Sequence, residues 1–169
     1  PYVIILGGAK VADKIDLIDH VIDKVDYILL CPAIACTFLA AKGISTGSSL
    51  IEKHAICKAK EIIEKSKKTN AKLVFPSDYV VSTDPHHKHL EIIREGEFTS
   101  DMIGINIGPK TNKEFGEIIA SAATIFANGL PGFLDKPKTL KETNVLLNSI
   151  AQSSAYSVVG GGDSVSLVQ

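Results

Sequence analysis

Cysteine is scarce in this 169-residue sequence: Cys31, Cys36 and Cys57 are odd in number and include no C-x-x-C pair. That excludes a disulfide framework and a zinc ribbon, and the three thiols are expected to be reduced and buried. Charge of one sign is also lacking, since 18 Lys+Arg oppose 19 Asp+Glu for a formal net charge of -1. Such a chain has no broad field with which to gather DNA, RNA or an anionic membrane, so nucleic acid is not an expected partner. No apolar run reaches the roughly 18 residues of a membrane span, and the opening PYVIILGG has no basic segment of the signal-peptide kind. No membrane partner is expected, and the expected setting is cytoplasmic. Internal repeats, low-complexity tracts and linkers are missing too. So are the two commonest nucleotide signatures: there is no G-x-x-x-x-G-K-[ST], and no G-x-G-x-x-G follows the first apolar run. Walker-type NTPases and dinucleotide dehydrogenases lose support accordingly.

What is present is apolar and regular. A hydrophobic content of 45% over this length can bury one good core, so residues 1–169 are expected to form a single, partial domain. Both ends read as cut from something longer. Short β-branched runs alternate with helix-period segments, the mark of βαβ units. The expected fold is α/β, a three-layer, Rossmann-like, doubly wound and mostly parallel sheet of about six strands. Those strands are Tyr2–Leu6, Tyr27–Cys31, Leu73–Phe75 with a continuation through Tyr79–Val81, Ile103–Ile107, Thr124–Ala127 and Tyr156–Val159. Nearly all their residues are apolar, as strands covered on both faces require. Ile15, Ile18, Ile22 and Val25 form one helical stripe, and Ile51, Ala55, Ala59 and Ile62 another. Thr111 with Glu114 and Thr139 with Glu142 fit the S/T-x-x-E capping box, predicting two later helix starts. Their apolar faces are Phe115, Ile118, Ile119 and Ala122, then Leu140, Leu147, Ile150 and Ala151.

In an open parallel sheet, ligands bind beyond the carboxyl ends of the strands. Four of the six ends carry glycine, which lets backbone N–H groups turn toward a ligand without a Cβ in the way. Gly160, Gly161 and Gly162 followed by Asp163 and Ser164 make a strand-to-helix turn able to wrap phosphate oxygens. Asp163 suits that role if Mg²⁺ lies between carboxylate and phosphate; a tight strand-to-helix turn with Asp163 as its N-terminal cap is the other reading. In GGAKVADK, Lys10 and Lys14 lie four apart on one helix face, where they can neutralise a transferring phosphoryl group or simply be solvated. Lysines at a helix start oppose the macrodipole, which a purely structural account has to explain. His86, His87 and His89 form the only histidine cluster, with no second ligand set to complete a metal site. Cys36, on an apolar helical stretch, reads as a packed thiol rather than a nucleophile.

Taken in order, GGAKVADK, CTFL, TGSSLIE, IGINIGPKT, FANGLPG and VVGGGDS resemble the carboxy-terminal domain of phosphoglycerate kinases over essentially the whole chain. The resemblance implies a domain that binds ATP or ADP with Mg²⁺ and serves phosphoryl transfer between 1,3-bisphosphoglycerate and ADP. It implies that Gly8, Ala9, Lys10 and Lys14 approach the nucleotide phosphates, with Lys10 and Lys14 as the catalytic cations. Asn128 would lie near the phosphate path, Gly160, Gly161 and Gly162 would cradle phosphate, and Asp163 would hold Mg²⁺ with Ser164 beside it. Leu50, Gly104 and Ile105 would line the adenine pocket.

Two segments depart from the family's pattern. A GGGMA-type adenine floor is replaced by Cys31-Pro32-Ala33-Ile34-Ala35, and WNGPxGVFE by Ala127 to Asp135, so the ribose-binding glutamate is matched only by the shorter Asp135. The family's amino-terminal domain, with its basic patch and arginine for 3-phosphoglycerate or 1,3-bisphosphoglycerate, has no counterpart here, nor has its late glycine-rich segment. A non-catalytic phosphate- or nucleotide-binding module on the same fold is the alternative.

Overall fold

The computed structural model describes residues 1–168. In strand β1 (Tyr2–Leu6), Val3 to Leu6 are each at most 1% exposed, so both faces are covered. Alternation along the strand divides these side chains between two cores. Ile4 and Leu6 pack with Ile15, Ile18 and Ile22 of the α1 region (helix Val11–Val21), with Phe38 of α2 (Pro32–Ala41) and with Ile62 of α3 (Ile56–Ser66). Val3 and Ile5 turn the other way, to Phe115 and Ile119 of α4 (Pro109–Ala120) and Leu146 and Ile150 of α5 (Lys141–Gln152). The result is three layers, helix over sheet over helix.

The sheet joins β1 to β2 (Tyr27–Leu30), β3 (Lys72–Val74), β7 (Thr124–Asn128) and β8 (Tyr156–Gly160) in the order β3-β2-β1-β7-β8, all parallel. The chain builds outward from β1 on one side and later returns to the other. A switch in winding direction therefore lies between β1 and β7, where the carboxyl ends open a crevice. The short helix α6 (Gly162–Val168) follows β8.

The doubly wound α/β reading holds, but the strands are distributed differently from expectation. Ile103–Ile107 (β6) leaves the main sheet for a three-stranded antiparallel one with β4 (Asp78–Ser82) and an unexpected β5 (Glu91–Arg94), in the order β5-β4-β6. β4 does not continue β3. Its first residue, buried Asp78, accepts hydrogen bonds from the backbone N–H groups of Lys110 (3.0 Å) and Thr111 (2.7 Å), which ties it to the start of α4 instead. The loop from β4 to β5 is too short for a parallel crossover, so β5 must return antiparallel. With Ile93 buried and Ile92 59% exposed, β5 is a half-covered edge strand, which a search for wholly apolar runs passes over.

Neither capping box forms. Gly108 is the N-cap of α4, and the Thr111 hydroxyl, already inside the helix, donates to the Asp78 carboxylate at 2.6 Å. Thr139 sits in a 3₁₀ turn (Pro137–Leu140) before α5, where its hydroxyl accepts the Phe133 N–H (2.8 Å) and donates to the Lys136 carbonyl (2.7 Å). Glu142 is buried and accepts from the Asn112 amide at 2.7 Å. The S/T-x-x-E spacings thus serve tertiary ties between layers. The buried face of α5 correspondingly includes Thr143 and Leu146, while Ala151 is exposed. Cys31 and Cys36 are buried as expected, but Cys57, on the outer part of α3, is exposed.

Candidate functional site

Register brings three turns to one level. Leu6 pairs with Asn128 and Asn128 with Gly160, so Gly7, Gly129 and Gly161 leave three adjacent strands side by side. Gly7 and Gly129 approach so closely that a Cβ on either would overlap the other's backbone, and Gly129 has φ 72°. Only glycine fits such a crossing. The Gly7 N–H donates to the Asn128 carbonyl at 3.0 Å, which locks the two loops together.

Around this crossing opens a cleft of about 610 Å³ lined by Gly8, Ala9, Lys10, Lys14, Asn128, Gly161, Gly162, Asp163 and Ser164. The expected phosphate-binding set is thereby brought to one place from three separate turns. Gly160 lies just behind, against the Asn128 amide. Asp13, Leu17 and Gly129 also line the cleft. Asp13 and Gly129 belong to the quoted motifs GGAKVADK and FANGLPG, and spacing alone marked neither.

Lys14 is the best-defined cation. Its Nζ donates to the Gly7 carbonyl at 2.6 Å, at the glycine crossing. Burial lowers its pKa, and Lys10 adds in the same direction against Asp13. Cys31 is an opposing neighbour only as a thiolate. Burial pushes that thiol up to about 12, so near neutrality it is uncharged and offers Lys14 no counter-ion. A partly desolvated ammonium held by one carbonyl gains from an arriving anion. Lys10, at the N-cap of α1 with no side-chain cap bond, is exposed on the rim.

Ser164 has a different role from a ligand-facing hydroxyl. The residue is 1% exposed, and its Oγ accepts the N–H groups of Gly129 (3.1 Å) and Leu130 (3.0 Å), stitching the β8 turn to the β7 turn. Asp163, next to it, is exposed and takes part in no ion pair or side-chain hydrogen bond among the described residues. No group of three or more His, Cys, Asp or Glu among those residues could hold a metal. Among the described residues a protein-only metal cage is therefore lacking, whereas one free carboxylate beside this cleft fits an Mg²⁺ that also takes phosphate oxygens and waters.

Gly8 and Ala9 also border a second, smaller pocket of about 140 Å³ on the other side of the crossing. Leu50, Gly104 and Ile105 line it together, and Pro32 and Ala33 form part of its wall in place of a glycine floor. The Gly104 N–H donates to Ser49 Oγ at 2.9 Å, which fixes β6 against the 46–50 loop. Phe133 completes the wall, a residue no motif singled out. Asp135 lines neither cavity; it is exposed on the turn closed by Phe133 and Lys136.

A sequence profile of the phosphoglycerate kinase family matches residues 1–169. The chain belongs to that family. The phosphoglycerate kinases of Tropheryma whipplei and Finegoldia magna are each 40% identical to it, over 99% of this chain but 42% and 43% of their own lengths. The solved phosphoglycerate kinase of Coxiella burnetii superimposes with a TM-score of 0.93 at 34% identity, over 99% of this chain and 43% of that one. That of Pyrococcus horikoshii gives 0.84 at 26% identity, over 100% and 44%. The chain therefore spans less than half the length of the phosphoglycerate kinases it matches. No described helix is long and apolar enough to cross a membrane.

Proposed function

We propose that this chain is the nucleotide-binding half of a phosphoglycerate kinase, taking ADP or ATP with Mg²⁺ and serving phosphoryl transfer between 1,3-bisphosphoglycerate and ADP. The observation that carries the reading is the meeting of two unlike cavities at Gly8–Ala9: a glycine-walled cleft carrying Lys10, Lys14 and Asp163, and an apolar pocket, the two environments that the phosphates and the base of a nucleotide call for. On this reading the phosphates lie across the Gly7–Gly129 crossing and the base enters beside Pro32 and Gly104. Kinship with whole phosphoglycerate kinases favours this over a non-catalytic module.

The chain's own residues position and neutralise. Lys14 exchanges its Gly7 carbonyl for a phosphate oxygen, and Lys10 adds a second charge from the rim. Glycine N–H groups of the β8 turn hold oxygens without a side chain intervening. Asp163 would hold Mg²⁺, which would supply charge neutralisation at the phosphates. Transfer between two oxygens held in line needs no covalent intermediate from the protein, so placement and charge are the whole contribution. The acyl-phosphate partner and its binding residues belong to the remainder of the family's longer chain. The cytoplasm is the compartment this reading implies.

Calorimetric titration of the purified chain with MgADP tests the reading. Saturable one-to-one binding, weakened by a chelator, is expected, with no turnover of 3-phosphoglycerate by the chain alone. Absence of binding by a folded chain overturns it.

A further inference from the structure

The histidine cluster is the one sequence feature that the phosphate cleft leaves unused. Asp84 organises its loop: the carboxylate accepts the backbone N–H groups of His86 (2.9 Å), Lys88 (3.0 Å) and His89 (3.0 Å). Within this loop His87 is the only non-glycine residue among those described with a left-handed φ, 53°. Its ring lies parallel to that of Phe133, with centroids 5.3 Å apart and planes 11° from parallel. Its Nδ1 is buried without a hydrogen-bond partner. A left-handed histidine and an orphaned ring nitrogen both oppose folding locally, so the arrangement calls for a reason beyond the loop itself.

Phe133 supplies one. It is 42% exposed and lines the apolar pocket opposite Pro32 and Gly104. Its backbone is held at both ends, by its N–H to Thr139 Oγ1 (2.8 Å) and by its carbonyl accepting from Lys136 N–H (3.0 Å). Its ring is placed by His87 and by Lys136, whose Nζ lies 5.3 Å from the ring centroid and reaches the Pro85 carbonyl at 3.5 Å. The 84–89 loop and the turn after β7, far apart in sequence, thus converge on one aromatic ring at the pocket wall.

We propose that the His87–Phe133 stack is a positioning device for a planar base, with Phe133 as the contacting wall and His87 holding its ring at the pocket mouth. The proposal rests on the nucleotide-binding reading above and assigns to this pair the preference for a nucleotide over a bare diphosphate. A preset aromatic plane offers a base a stacking face without ordering a side chain on arrival.

The test titrates the full chain with MgADP and, separately, with magnesium pyrophosphate. Phe133→Ala and the volume-retaining Phe133→Leu are expected to weaken MgADP about tenfold and pyrophosphate by less than about twofold. His87→Ala should shift the same ratio in the same direction by about threefold, and His87→Phe, which keeps the stack, should restore it. A ratio unchanged in both Phe133 variants, or a His87→Phe chain that behaves as His87→Ala, overturns the proposal while leaving phosphate binding intact. Wild-type chain that binds pyrophosphate but not ADP also overturns this proposal. Binding of neither ligand removes the nucleotide reading itself.

Discussion

The two cavities on either side of Gly8–Ala9 are made from different materials. The larger is bounded by turns that leave β1, β7 and β8 at one level, and its character comes from backbone proximity and charge: a glycine crossing, Lys10, Lys14 and Asp163. The smaller borrows Gly104 and Ile105 from the antiparallel sheet and Phe133 from the turn after β7, and its character comes from side-chain shape. In the first, a single added carbon is disruptive at the Gly7–Gly129 crossing. In the second, a carbon can be accommodated but the identity of the wall decides what fits.

The largest expected effect breaks this contrast or establishes it. Gly7→Ala places a Cβ against the Gly129 carbonyl and 2.7 Å from Cys31 Cβ, both of which are held in place. It should lower stability by about 3 kcal/mol or more, read as the urea midpoint. Gly104→Ala places its Cβ 3.4 Å from Ser49 Oγ and 3.5 Å from Pro32 Cβ. Its stability should change by less than about 1 kcal/mol. Equal losses would mean that the two cavities are not built differently.

Next in size is Lys14→Ala, which removes a partly desolvated cation from the floor of the charged cleft. Nucleotide affinity should fall by about 1.5–3 kcal/mol with Mg²⁺ or with a chelator present, since the contact is direct. Asp163→Asn should act only through the metal. MgADP affinity should drop several-fold, and metal-free ADP should bind as well as before or slightly better, because a carboxylate no longer faces its phosphates. Calorimetry of both variants under both conditions separates them; parallel losses would take the metal role from Asp163.

The smallest effect concerns the aromatic wall. Backbone N–H donation, led by His89, holds the Asp84 carboxyl far below the usual carboxylate range, and burial lowers the His87 pKa against the ordinary value. For each group the folded pKa lies below the unfolded one. The associated stability is present above the unfolded pKa and is lost as pH falls toward the folded value. For His87 that loss begins below about 6.5, and for Asp84 below about 3.9. Lys136 and His86 oppose a charge on His87, whereas Asp84 favours it. Amide protection factors at His86, Lys88 and His89, with the intrinsic pH dependence of exchange divided out, should therefore fall in two steps on acidification, while protection at Gly7 stays high throughout. A single step shared with Gly7 would show that the loop does not respond on its own.

Much of the charged cleft was legible in the sequence because its parts are local. GGAKVADK and VVGGGDS each carry their glycines and charges within one strand-turn-helix unit, and apolar runs locate the strands that deliver them. The apolar pocket was legible only through Leu50, Gly104, Ile105 and the stretch from Cys31 to Ala33, whose places came from family resemblance. Phe133 escaped because nothing near it in sequence requires an aromatic; its partner, His87, lies on another sheet's hairpin. The two S/T-x-x-E spacings misled for a related reason. Thr111 and Thr139 found better partners across the fold, in Asp78 and in the Phe133–Lys136 turn, than a helix end could offer.

The sequence by itself determined the five parallel strands, the helices that cover them and the turns at their carboxyl ends, because hydrophobic period and glycine placement act over a few residues. Tertiary structure alone decided that β6 would leave the main sheet for β4 and β5, that Ser164 would staple two turns and that His87 would brace Phe133. Each of those outcomes is a competition among distant partners for the same strand edge, hydroxyl or ring face. Local pattern carries no term for such a competition.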